Sequence, residues 1–136
     1  MQKTVLIIST LDTKGSETDY LVEKLKGLGL NTLLMDISMR GAAPSPADIP
    51  PDRVAAAGGS SFEEIRNSRN RSHITNMTMA GASRIAADLL SENNLDGVIG
   101  IGGSTGTLMA TEVMRSLPFG IPKVMISSTA ALPGLA

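Results

Sequence analysis

An α/β fold, with a mainly parallel sheet of about four strands and helices on both faces, follows from three observations on this sequence. Short apolar runs alternate with stretches of helical periodicity. The runs are nearly continuous rather than interleaved with polar residues, which marks strands covered on both sides. The most glycine-rich junction, residues 96–108, passes from a strand pattern into a helical one.

Residues 3–9 are expected to form the first strand, because Val5, Leu6, Ile7 and Ile8 stand in a row. A polar turn follows over residues 10–15, and Ser16 with Asp19 resembles a capping box. Leu21, Leu25 and Leu28 then recur at helical spacing up to Gly29, which suits a helix end. Residues 30–37 read as the second strand, with Asp36 near its carboxyl end. Residues 38–60 carry Pro44, Pro46, Pro50, Pro51 and several glycines, so most of that stretch is expected to be irregular. Ser61 and Glu64 form a second capping box, opening a short helix to about Asn70. Arg66, Arg69 and Arg71 make a small basic cluster there, read first as a solvated helix face, with an anion or partner contact as the alternative. Ile74, Met77, Gly81, Ile85 and Leu89 mark a long helix ending near Asn93, and Ala80, Gly81 and Ala82 give it a small-residue middle for close packing. The third strand covers residues 97–101; the next helix carries Met109, Val113 and Leu117 on one face and stops at Pro118. Residues 122–127 complete the sheet.

Composition narrows the function. The chain has 136 residues, enough for one domain with a proper core. It has no cysteine, which excludes disulfides and thiolate metal sites. His73 is its single histidine, and no G-x-S-x-G elbow is present, so a serine triad is disfavoured. The net charge of −1 argues against general binding to nucleic acid. Tyr20, Phe62 and Phe119 are its aromatic residues, too few to make a platform for stacked bases. No apolar run is long enough for a bilayer and no signal-peptide layout opens the chain, so a soluble cytoplasmic protein without membrane contact is expected.

The functional candidates cluster at strand ends. Gly102, Gly103, Ser104, Thr105, Gly106 and Thr107 place glycines and hydroxyls at the start of a helix, where free amides and the helix dipole suit an anion. Asp12, Thr13, Lys14 and Gly15 form the turn after the first strand, and Ser127, Ser128 and Thr129 the exit of the fourth. In a parallel sheet, ligands gather beyond the carboxyl ends at the point where strand order reverses. With the first strand beside the third, the first two turns would flank that point. Lys14 would then offer a positive charge and Asp12 a carboxylate for a magnesium ion (Mg2+). Asp36 stands about where a ribose-binding acid is expected, although the first turn lacks G-x-G-x-x-G and no Walker lysine follows the glycines.

Three motifs carry a family resemblance. Thr10-Leu11-Asp12-Thr13-Lys14-Gly15 with Glu17, the run from Gly100 to Thr107, and the run from Met114 to Met125 resemble, in order and spacing, the signatures of the ATP-binding domain family that includes the tomato mosaic virus resistance protein. The resemblance implies a Rossmann-like three-layer sandwich and ATP, with magnesium, bound near these loops. It also implies that residues 1–136 are a single N-terminal subdomain of a longer two-domain protein. The tail from Thr129 to Ala136 departs from the family's turn.

A nucleotide-binding module is therefore the leading expectation. One alternative is a phosphoryl-transfer or hydrolase enzyme completed by a second domain, since this chain offers little beyond Asp12 and Lys14 for catalysis. The other is a non-enzymatic interaction domain using the 38–60 stretch and the arginine face. Self-association or contact with a second domain is expected of an incomplete cleft that leaves apolar surface exposed.

Overall fold

The computed structural model describes residues 2–40 and 45–129. Its sheet holds β1 (Thr4–Ser9), β2 (Asn31–Asp36), β3 (Gly97–Gly102) and β4 (Lys123–Ser127), all parallel, in the order β2-β1-β3-β4. The α/β reading holds: a parallel sheet flanked by helices, of the Rossmann-like kind. Strand order reverses between β1 and β3, which pair with Ser9 opposite Ile101.

α1 (Leu11–Gly27) packs on one face over Val5 and Ile7 through Leu25. The larger core lies on the other face. There Leu6, Ile8, Met35 and Val98 meet α4 (Arg71–Ser91) and α5 (Ser104–Ser116) through Ala82, Ala86, Met109 and Val113. Gly100 lets α5 sit close, since a Cβ there would stand 2.8 Å from that of Ala110. Among the described residues, no helix is long and apolar enough to cross a membrane.

Three expectations change. α1 begins at Leu11, so the 10–15 stretch is its first turn rather than a loop; the true break is a kink at Lys14 (φ −122°, ψ 25°). The Lys14 carbonyl is taken by the hydroxyl of buried Thr18 at 2.6 Å. The 38–60 stretch is irregular over most of its described residues, as expected, but its prolines do not bar a helix within it. Pro50 and Pro51 occupy the N-cap and first position of α2 (Pro51–Ala57), where no amide hydrogen is needed. Ile49, just before them, bridges to Met35 as a short extension of the sheet. Pro44 lies outside the described residues. Finally, α3 (Phe62–Asn67) ends earlier than expected, although its capping box forms as expected, with the Glu64 amide donating to Ser61 Oγ at 3.1 Å. This early end leaves Arg66 on α3, Arg69 in a connection and Arg71 on α4, so the arginines do not share a helix face.

Small residues join α2 to α4. A Cβ on Gly81 would run into the Val54 carbonyl oxygen, and one on Gly58 into that of Met77. The far side of the sheet is less well covered. On the α1 side, Ile99 is followed in register by Val124, and Ile101 by Ile126, and both β4 side chains are exposed.

Gly81→Ala tests the α2–α4 contact. Alanine favours a helix by about 0.8–1.0 kcal/mol over glycine, but displacing a backbone in a packed interior costs about 1–3 kcal/mol. Urea unfolding is expected to show a net loss of up to about 2 kcal/mol. A more stable variant would mean that the helices do not touch here.

Candidate functional site

The β1–β3 pairing brings two segments to one rim. A Cβ on Gly106 would lie 3.7 Å from Thr10 Cγ2, so the β1 exit and the α5 start are in contact distance of each other. A cavity of about 330 Å³ opens above them. Thr10, Asp12, Thr13 and Lys14 line it from one side and Gly103, Ser104 and Thr105 from the other. Ile37, Met39, Ile74 and Met109 supply apolar wall, and Arg40 and Arg71 complete the lining.

The start of α5 is open. Gly103 is its N-cap and, among the described residues, no side chain caps this end. The first amide returned to the chain is that of Thr107, to the Gly103 carbonyl at 2.9 Å, which leaves the amides of Ser104, Thr105 and Gly106 ahead of it. Gly102 permits this turn, because a Cβ would come within 2.9 Å of Gly106 Cα. Thr107 and the β4 exit stand behind the turn as braces. Thr107 Oγ1 bonds Ser127 Oγ at 2.7 Å, Ser127 Oγ bonds Thr129 Oγ1 at 3.1 Å, and the Ser128 amide donates to the Gly102 carbonyl at 3.1 Å. None of Ser127, Ser128 and Thr129 is among the residues lining the cavity.

The start of α1, in contrast, is closed by the protein itself. The Leu11 amide donates to Asp36 Oδ1 and the Asp12 amide to Ser38 Oγ, both at 3.2 Å. The Thr13 and Lys14 amides go to the Thr10 carbonyl. Asp36 is buried, and its oxygens also accept from the Ser38 amide at 3.0 Å, from Ser38 Oγ at 2.5 Å and from Ser45 Oγ at 2.7 Å. It thus caps a helix from the neighbouring strand and does not line the cavity. Gly15 lies just past the Lys14 kink and is likewise outside the lining.

What α1 offers the cavity is side chains. Lys14 sits at the kink with Glu17 at 3.8 Å. Across from it, Arg71 Nη2 donates to Thr105 Oγ1 at 3.2 Å. Arg40 and Arg71 were missed as site residues by the sequence reading, yet topology places both. Arg40 comes after the carboxyl end of β2, and Arg71 opens the helix that returns toward β3, so both belong to the rim where ligands collect.

Asp12 is the one carboxylate among the cavity-lining residues. Partial burial, together with the charge of Asp36, raises its carboxyl above the ordinary 3.8, against an opposing hydrogen bond from Ser38. Among the described residues, no group of three or more histidine or acidic side chains is placed to hold a metal. Magnesium is commonly held by one or two carboxylates plus phosphate oxygens, so Asp12 fits such an ion only alongside a phosphate ligand.

Comparison with known proteins finds the family described as Uncharacterised protein family (UPF0261) N-terminal domain, matching residues 3–134. A UPF0261 protein of Clostridium tetani is 37% identical over 131 residues, 96% of this chain and 32% of its own length. A UPF0261 protein of Rhizobium meliloti is 34% identical over 131 residues, 95% of this chain and 31% of its own. The chain thus spans about a third (32% and 31%) of the length of these curated relatives. The ToMV resistance protein Tm-1(GCR237) of Solanum lycopersicum is 60% identical over 40 residues, 29% of this chain and 5% of that protein. Similarity along nearly the whole chain is therefore to the bacterial UPF0261 proteins, and similarity to the tomato protein is confined to a short segment.

The raised Asp12 carboxyl gives a pH signature. The folded chain binds that proton more tightly than the unfolded chain, so stability falls as pH rises from the ordinary 3.8 through the raised value. Asp12→Asn is expected to raise the urea midpoint above this window and to leave it unchanged below. Equal midpoints for both proteins at every pH would show the carboxyl to be unperturbed.

Proposed function

The chain belongs to the UPF0261 N-terminal domain family, and from the rim geometry we propose that it binds the phosphates of a nucleotide, with ATP favoured. One observation carries this reading: the uncapped start of α5 opens into a cavity that Lys14, Arg40 and Arg71 also line. Amides of Ser104, Thr105 and Gly106 would donate to phosphate oxygens, helped by the dipole of a thirteen-residue helix. Hydroxyls of Thr13, Ser104 and Thr105 would add donors, and the cations would offset charge. A bound magnesium ion would screen the phosphates, with Asp12 as its protein ligand.

ATP is preferred among nucleotides because of the three motif resemblances in the 10–17, 100–107 and 114–125 segments. Asp36, taken up by capping α1, has no part in this reading. Nor do Ser127, Ser128 and Thr129 contact the ligand; they hold the turn that does. Catalysis would need a nucleophile and base beyond Asp12, and any such activity belongs to the longer relatives.

A second reading concerns the exposed Val124 and Ile126 on the β4 edge strand. Parallel sheets are ordinarily covered on both faces, and the curated relatives run to about three times the matched length. The occupant of this surface is then the remaining length of those relatives.

Calorimetry with magnesium-ATP tests the first reading. The wild type is expected to give binding heat and Gly103→Val to give little. The new Cβ would meet Ser128 Oγ at an ordinary 3.8 Å, so the fold should hold while the branched side chain crowds the amides. Equal heats from both, or none from either, would defeat the proposal. For the second reading, hydrogen exchange at β4 should be fast in this chain and slow at the matching strand of the full-length Clostridium tetani relative. Fast exchange in both would mean that the edge stays bare.

A further inference from the structure

Three cations from three separate elements meet at this cavity: Lys14 on α1, Arg40 after β2 and Arg71 at the start of α4. Asp12 is the single carboxylate among the lining residues, so the side chains leave a surplus of positive charge before the α5 dipole is added. That surplus is two charges, three cations against one carboxylate, which a monophosphate could match in number but only at one point, whereas the cations come from three separate elements. A chain of phosphates would pair it along its length.

The apolar part of the lining reads nothing else. Ile37, Met39, Ile74 and Met109 have no groups able to recognise the edge of a base. No aromatic ring lines the cavity either. Tyr20 is exposed further along α1 beside Lys24, Phe62 packs with Ile65 and Ile74 at the start of α3, and Phe119 lies before β4 at the opposite rim. At about 330 Å³ the cavity is also at the low end for small-molecule sites, which run from about 300 to 1,000 Å³.

We propose that Lys14, Arg40 and Arg71 form a clamp for a linear oligophosphate tail, so that the site selects by the number of phosphate charges and ignores the base. This rests on the phosphate reading above and sharpens it. Arg71 is the specificity-determining member. Its hydrogen bond to Thr105 holds the guanidinium at the mouth of α5, where its planar fork can take two oxygens of one phosphate. A nucleoside triphosphate and inorganic triphosphate both suit the clamp, because the chemistry they share is the tail.

Calorimetry of this chain at fixed ionic strength, without magnesium, would compare ATP, GTP, inorganic triphosphate and AMP. The first three are expected to bind within about threefold of one another and AMP at least about tenfold more weakly, the scale of losing charge-assisted hydrogen bonds. Arg71→Gln and Arg40→Gln should each weaken all three triphosphates in parallel by about tenfold, with unchanged urea midpoints. ATP binding without inorganic triphosphate binding would overturn the clamp and leave the nucleotide reading standing. Triphosphates that bind the arginine variants as well as the wild type would overturn it too. Binding of none of the four, with magnesium-ATP still giving heat, would overturn the clamp alone; if magnesium-ATP gives no heat either, both readings fall.

Discussion

The parallel pairing of β1 with β3 is the constraint on which the rest depends. With Ser9 opposite Ile101, the exits of both strands reach the same height at the same rim. Crossovers then leave in opposite directions, α1 to one face and α5 to the other, and the gap between them becomes a cavity. Without that register the Lys14 and Ser104 segments would have no reason to meet.

The two helix starts at this rim are not equivalent, and the difference comes from the end of β2 and the residues just after it. Asp36 and Ser38 reach across to the first amides of α1 and satisfy them from within. Among the described residues nothing equivalent reaches α5, whose N-cap is a glycine. The rim is thus closed on one side by structure and open on the other, and Asp12 with its raised carboxyl sits close to the boundary. Positive side chains surround the open side, two of them arginines brought in from elements that are distant in the chain.

Much of this architecture was legible in the sequence, because apolar runs, glycine junctions and capping boxes are local signals. Strand positions fell within a residue or two, the β1–β3 adjacency that the site reading took as its condition is present, and so is the Ser61–Glu64 cap. What escaped was non-local. The role of Asp36 depends on a neighbouring strand's register, and a sequence position alone cannot separate a ribose acid from a helix cap. Pro50 and Pro51 read as breakers because their count outweighed their position, yet a helix start is where proline is at home. Arg71 read as one of three surface arginines, when the direction of its helix carries it to the rim.

The kink at Lys14 is fastened from the interior. Thr18 ties the Lys14 carbonyl to Ser9 on the central strand through two short hydrogen bonds. The backbone that presents this lysine is therefore anchored to the sheet and does not wait for a guest to set its course. A ligand binding here would then forfeit little chain freedom, which favours affinity. It also removes the give by which a looser loop would accommodate anions of different span, so a rigid rim gains discrimination through its own stiffness.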